Sequence, residues 1–451
     1  MLTNRSRDLL PPLPNGVTPS YIHCLDVIES LERQAAYGAV DLLVVGKFGS
    51  TAGLSVVSTG SQVLNLVTFV VIQLAMGITV LIARYIGEKK TGQIGEVLGG
   101  AAVVFTIISI GLFILMVCFA KPISVLMQAP TEAVSLTTVY VRICGSGIFF
   151  IVAYNVLAAV FRGLGDSRSP LIFVLVACIV NIVGDMVLVA GLHMDAAGAA
   201  LATVLAQAVS VVCAIVMLVK KKLPFSISKS DFRLNKQCRK FLEIGLPLAL
   251  QEFLTQLSFL ALCAFVNRLG LEASSGYGVA CKIVNFAMLI PSSLMQSMAS
   301  FVSQNVGAGN KKRAKHAMFT GIGVGVAFGC VVFLIVMFKG DVLAGFFSND
   351  AAVIQKGFDY LKGFAPETIV TAVLFSMIGY FNGNNKTLWV MIQGLTQTLL
   401  VRLPMAYIMS IQPNASLTNI GLAAPTSTVV GIVLNVIFFI YMNKKETGVQ
   451  S

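Results

Sequence analysis

Charge is what this chain most lacks. Only 12% of its 451 residues are Asp, Glu, Lys or Arg, about half the share of a soluble protein (~25%). Hydrophobic residues make up 56%, and the mean hydropathy is +0.85. So little polar surface cannot keep a globule of this size in water. Histidine is scarce, with three residues, and the nine cysteines are scattered with no CxxC pair and no Cys/His cluster. That pattern argues against a zinc site, a disulfide framework and c-type haem. What is abundant is long apolar sequence, and the class it implies is an all-α polytopic membrane protein.

The charge that is present is mostly positive: the net charge is +12 and the pI near 9.3. In a soluble chain this would suggest nucleic acid, but its distribution excludes that partner. Lys and Arg collect in every second loop: Lys89 and Lys90; Arg162 and Arg168; Lys220 to Lys240; Lys311 to Lys315; Lys386; Lys444 and Lys445. The intervening loops hold Lys47, Lys121, Arg268 and Lys339, with Lys356 and Lys362 at the start of the tenth apolar stretch. The positive-inside rule places the rich loops in the cytoplasm. Both termini then fall inside, which requires an even number of spans and a plasma-membrane protein embedded in lipid.

A span needs about 20 mostly apolar residues. Stretches starting near Ala52, Ile94, Ala133, Pro170, Gly198, Phe241, Ser274, Ala317, Ala352, Leu388 and Ile420 qualify, and a further one ending at Val44-Val45-Gly46 closes the alternation. That first span is the weak one, because residues 26–33 carry Asp26, Glu29, Glu32 and Arg33. Either the helix is short and begins near Gln34, or those side chains face a wet cavity. Residues 1–33 read as an atypical polar segment with a disordered tail, with no apolar core of signal-peptide length.

The polar stretch 220–240 reads as a cytoplasmic linker between two six-span lobes, 34–219 and 241–443, with 444–451 as a cytoplasmic tail. The halves also repeat. Val45–Gly49 aligns with Val266–Gly270, Tyr85–Lys90 with Asn305–Asn310, and Phe161-Arg162-Gly163 with Phe381-Asn382-Gly383, each at a displacement of 220 or 221 residues. A constant displacement across six spans means parallel repeats, and transporters built this way place their substrate between the halves.

Ionisable residues inside spans are costly and tend to be functional. Asn181 and Asp185 lie four apart and share a helix face. Asp41 on the first span, with Thr203 near Ala199 on the sixth, completes a set of two carboxylates, an amide and a hydroxyl. Such hard oxygen ligands suit Na+, and equally a shared proton. Two nearby acids titrate as a pair, which is what exchange of a coupling ion requires. The bland alternative is that Asp185 caps a kink and Asp41 faces outside water.

In the second half, Glu252 and Glu367 are candidate contacts for an organic cation, each following a proline. The alternative for Glu252 is an ion pair with Lys282, and for Arg402 a role in helix packing. Met288, Met295, Met298, Phe286 and Gln296 are candidates to line an apolar cavity, with core packing as the competing role. His193 is expected to be solvated in a short external loop and Trp389 to anchor at the interface. Gly307-x-Gly309 lacks the Lys-Ser pair of a phosphate loop and reads as a turn.

Several of these segments resemble the multidrug and toxic compound extrusion (MATE) family of the MOP superfamily. Tyr37–Gly49, with its embedded Asp41, is similar to the family's first-helix signature, although no proline lies between Pro19 and Asp41. Gln304–Asn310 followed by Arg313-Ala314 resembles its cytoplasmic motif after the eighth helix, and Phe161–Asp166 and Gly245-Leu246-Pro247 also fit. The resemblance runs over roughly residues 36–442. It implies twelve helices in two six-helix repeat lobes and efflux of organic, mostly cationic compounds in exchange for Na+ or H+. It also implies no organic cofactor, a monomer, no enzymatic activity, and a coupling-cation site at Asp41, Asn181 and Asp185.

Two other functions compete. A lipid-linked oligosaccharide flippase of the same superfamily should line its cavity with several Arg and Lys, whereas the intramembrane basic residues are few (Arg142, Lys282, Arg402). A membrane-embedded transferase needs paired carboxylates for Mg2+, and no DxxxD cluster is present at a membrane edge.

Overall fold

The computed structural model describes residues 51–127, 133–166, 168–221, 225, 228–348, 350–413 and 415–448. Asp41, the first expected span and the polar segment 1–33 lie outside them. The described chain is helical: α1 (Thr51–Gly87), α2 (Ile94–Cys118), α3 (Ala120–Leu126), α4 (Val134–Ser146), α5 (Ile148–Gly163), α6 (Arg168–Asp185) and α7 (Asp195–Lys220) come first. After the polar stretch follow α8 (Lys236–Asn267), α9 (Leu271–Gly307), α10 (Lys311–Gly345), α11 (Ala351–Phe364), α12 (Glu367–Gly383), α13 (Thr387–Leu395), α14 (Leu403–Ser410), α15 (Leu417–Gly421) and α16 (Ala423–Gly448).

Among the described residues, eight helices are long and apolar enough to cross a membrane, and the bent pairs α4–α5 (50°) and α11–α12 (47°) raise the number to ten. Large apolar side chains such as Phe338, Leu400 and Leu126 stand exposed around the bundle, as expected where lipid is the solvent. The stretch from Leu388 is apolar as well, but it is divided into α13, a π-helical segment Thr396–Arg402 and α14. A second π-helical segment, Met186–Gly191, follows α6 directly.

The sequence repeat is a repeat of structure. α1 ends at Gly87 and α9 at Gly307; α5 ends at Gly163 and α12 at Gly383. Each end closes in the same way, with one residue in the left-handed region: Lys89 (φ 56°), Gly309 (φ 79°), Gly165 (φ 78°) and Asn385 (φ 58°). Lys90 N–H bonds to Tyr85 C=O at 2.9 Å and Asn310 N–H to Asn305 C=O at 2.8 Å. Asp166 N–H bonds to Phe161 C=O, and Lys386 N–H to Phe381 C=O, both at 2.9 Å. These six-to-one bonds, with their inner five-to-two partners, are Schellman caps that satisfy the last carbonyls of each helix. Two of the aligned sequence motifs are therefore helix stops, and the Gly307-x-Gly309 segment is the turn it was expected to be.

The main apolar core draws on both halves of the chain, with Ile82, Tyr85 and Phe105 from the first and Phe241, Met298, Val302 and Phe381 from the second. A second cluster, around Val266, Tyr277, Tyr360 and Leu417, belongs to the second half. A third joins Phe161, Phe173 and Val211.

Candidate coupling-ion and substrate site

Asn181 and Asp185 occupy the last turn and a half of α6, and neither is solvent-exposed (0% each). Asp185 is the last residue before the π-helical turn. A π segment shifts the i→i+4 pattern by one residue and is often found at functional positions. α6 packs on α7 at close range: a Cβ on Gly184 would lie 2.9 Å from the Cβ of Ala202, and one on Gly198 3.1 Å from the Leu188 backbone of the π segment. Asp185 follows Gly184 and Thr203 follows Ala202, so this register brings the acid and the hydroxyl to the same level of two touching helices. Thr203 Oγ donates to the Ala199 carbonyl at 3.0 Å, and both residues are buried. The Asn181 side-chain amide has no hydrogen-bond partner among the described residues. A buried amide left unpaired is costly, which suits a group kept for a ligand. Thus Asp185 and Thr203 stand at one level of the α6–α7 contact, with Asn181 a turn back along α6 and Ala199 a turn back along α7, while Asp41 lies outside the described residues.

Glu252 lies on α8, half-buried. Gln256 Nε2 donates to its Oε1 at 2.8 Å, and Gln73 Nε2 of α1 approaches its Oε2 at 3.5 Å. The carboxylate therefore sits where the two halves of the chain meet. The ion pair with Lys282 does not form: Lys282 is exposed and its ammonium lies 5.6 Å from the centroid of the Phe347 ring. Two neutral amides replace it because they stand one helical turn away and across the α1–α8 contact.

Glu367 opens α12 at the bend and is buried. Thr428 Oγ donates to its Oε1 at 2.8 Å, Gln397 Nε2 approaches Thr428 Oγ at 3.4 Å, and Gln393 Nε2 donates to Gln397 Oε1 at 2.7 Å. Four polar side chains thus form one chain through the second half, along its π-helical segment. The sequence reading missed this chain; its signal is Gln393 and Gln397 four apart in an apolar stretch. Arg402, at the end of the π segment, lies over Phe259 at 4.4 Å.

The candidate cavity residues of α9 divide. Met295 and Met298 are buried against α10 and α12, where the Met298 side chain fills the space left by Gly321 and Gly379. Gln296 is buried, Met288 packs against the second cluster, and Phe286 is exposed. Met298 thus serves packing, the competing role given to it from sequence. Trp389 also differs from expectation: its Nε1 donates to Asn435 at 2.9 Å and its ring stacks on Phe438 at 4.2 Å, so it ties α13 to α16 instead of simply anchoring at the interface. His193 is exposed in its loop, as expected.

Comparison with known proteins decides what this helical architecture belongs to. Residues 32–187 and 247–408 match the MatE family, one block in each half of the chain. The chain belongs to that family. Among similar proteins, the probable multidrug resistance protein YoeA of Bacillus subtilis is 23% identical over 425 residues, covering 90% of each chain. The multidrug export protein MepA of Staphylococcus saprophyticus is 24% identical over 384 residues, covering 83% of each. The fold matches an outward-facing conformation of a multidrug resistance MATE family transporter of the MOP superfamily, with TM-score 0.87, 19% identity and 96% of both chains covered. This MATE protein is accordingly a multi-pass membrane transporter of small molecules, not an enzyme.

Proposed function

We propose that this MATE protein is a secondary active efflux antiporter that exports organic, mostly cationic compounds in exchange for Na+ or H+. Twelve spans form two six-helix lobes, 34–219 and 241–443, that alternate access across the plasma membrane, with both termini in the cytoplasm and the monomer as the working unit. The observation that carries this reading is the fully buried Asp185, one turn from an Asn181 amide that has no hydrogen-bond partner among the described residues, at the mouth of a π-helical turn and level with Thr203. These oxygens are hard ligands suited to Na+ or a proton, and Asp41 from the first span would join them. Glu252, held by Gln73 and Gln256 between the halves, supplies negative charge for a cationic substrate.

A ligand shifts a conformational equilibrium only by binding the two states differently. Taking up the coupling ion from outside neutralises Asp185 and favours the state that releases drug; losing the ion inside restores the charge and the state that binds it. The test is efflux of a fluorescent organic cation from vesicles under an imposed Na+ gradient, then a pH gradient, then neither. Efflux driven by one of the gradients supports antiport, and efflux indifferent to both overturns it.

A further inference from the structure

The two halves of the chain meet through their matching helices, and at four glycines the backbones themselves come together. A Cβ on Gly87, at the end of α1, would lie 2.0 Å from the carbonyl oxygen of Gln304; a Cβ on Gly307, at the end of α9, would lie 2.4 Å from the carbonyl oxygen of Arg84. The second neighbours match as well, Ala308 N for Gly87 and Glu88 N for Gly307. Each of these residues corresponds to its counterpart at the 220-residue displacement, so the crossing is symmetric about an axis between α1 and α9. Further along, a Cβ on Gly77 would meet the Phe241 carbonyl at 2.1 Å, and one on Gly245 the Leu74 carbonyl at 2.2 Å, which closes α1 on α8 in the same manner.

Hydrogen bonds between the halves gather at this end. Ser303 Oγ donates to the Val80 carbonyl at 2.7 Å and Ser300 Oγ to the Arg162 carbonyl at 2.8 Å. Tyr85 OH donates to Gln237 Oε1 at 2.6 Å and accepts from Lys240 Nζ at 2.9 Å. Gln237 Nε2 also reaches Glu96 at 3.0 Å. This is the end that carries Lys89, Lys90 and Lys311 to Lys315, the side assigned to the cytoplasm.

We propose that the Gly87/Gly307 crossing is the cytoplasmic seal of the transporter, a backbone-to-backbone latch that must part for the inward-facing state to form. The proposal rests on the alternating-access reading above. Glycine is required because any Cβ falls inside the opposite backbone, which cannot yield as the tip of a side chain would. Few side chains interlock at the crossing itself, so release breaks mainly the Ser300, Ser303 and Tyr85 bonds and leaves each half intact.

The test is chemical accessibility. Ser303, fully buried in the crossing, is replaced as Ser303→Cys, which keeps a donor. A membrane-impermeant maleimide is then applied to inside-out vesicles, with labelling read peptide by peptide so that the native cysteines serve as internal references. With both glycines present, labelling is slow. In Gly87→Ala and Gly307→Ala it rises at least about tenfold, the factor for ~1.4 kcal/mol in the opening equilibrium. Gly92→Val, at an exposed position with nothing within 4 Å of its Cβ, leaves the rate unchanged. Tyr85→Phe, which adds no volume, raises the rate even where an alanine variant does not fold. Fast labelling with the glycines intact, or the Gly92→Val rate in the folded glycine and Tyr85 variants, overturns the seal. The readout needs no substrate. A protein that labels as described but shows no gradient-driven efflux therefore sinks the antiport reading and not the latch.

Discussion

The hydroxyl of Thr428 donates a 2.8 Å hydrogen bond to the carboxylate of Glu367, joining α16 to the bend between α11 and α12. Glu367 is buried, and Thr428 is in turn approached by Gln397 from the π-helical segment. Thr428→Val keeps the shape and removes the donor, leaving a buried carboxylate oxygen without that partner. The expected cost is about 1–3 kcal/mol of stability, measurable as a lower unfolding midpoint in detergent. Glu367→Gln should fold; if Glu367 contacts a cationic substrate, efflux falls, and unchanged efflux removes it from the cavity.

Asp185 sets a sharper test. Its carboxylate is fully buried before a π-helical turn, and Asp185→Asn preserves its volume while removing the charge that a coupling ion would neutralise. Gradient-driven efflux should be abolished while the protein still elutes as a folded species with an unchanged or higher unfolding temperature. Thr203→Val, which removes a hydroxyl at the same level of α7, should weaken ion dependence without abolishing transport. Full efflux by Asp185→Asn would remove the coupling role.

Much of the helical layout was legible because hydropathy and loop charge are summed over many residues, so single exceptions do not blur them. The repeat was legible for a more local reason: Tyr85–Lys90 and Asn305–Asn310 encode the same helix cap, and Phe161–Asp166 and Phe381–Lys386 another, each needing a residue that tolerates positive φ. The partners of individual polar side chains were not legible. Lys282 lies one helix away from Glu252, and no periodicity says whether its ammonium turns to that acid or to the ring of Phe347. Nor does composition reveal a π-helical turn, so Gln393, Gln397 and Thr428 read as isolated polar residues until the helices are assembled. A methionine in this stretch reads more readily as core than as cavity, and for Met298 the glycines facing its side chain, Gly379 and Gly321, decide for core.

Trp389 offers a measurement of its own because it is the only tryptophan in the chain. Its indole N–H is bound to Asn435, which is fully buried, and its ring stacks on Phe438 at an interplanar angle of 11°. Asn435→Leu removes the acceptor and leaves the half-buried indole donor without this bond, at a cost of about 1 kcal/mol. Because no other tryptophan contributes, a shift in emission should accompany the loss of stability. A variant with wild-type emission and stability would show that the Trp389–Asn435 bond does not hold α13 to α16.

The turn between α5 and α6 gives the clearest pH dependence. Burial alone would raise the pKa of Asp166, but Lys221, at the end of α7, and the hydroxyl and amide of Ser169 donate hydrogen bonds to it. Together they hold the carboxyl below its usual range. A carboxyl whose pKa is lower in the folded state contributes stability above its unfolded value, about 3.9, and loses it as pH falls through the folded one. Asp166→Asn should therefore unfold more readily than the parent at neutral pH, by about 1–2 kcal/mol for a charge-assisted bond near the surface. The gap should narrow as the pH is taken below about 4, because the parent then loses the same charge. Lys221→Met should reproduce most of the neutral-pH loss, since it removes the principal partner and keeps the side chain's length. Unfolding curves of parent and variants from pH 7 to pH 3 check this; a gap that persists unchanged at the acid end would mean the asparagine acts through something other than the carboxylate's charge.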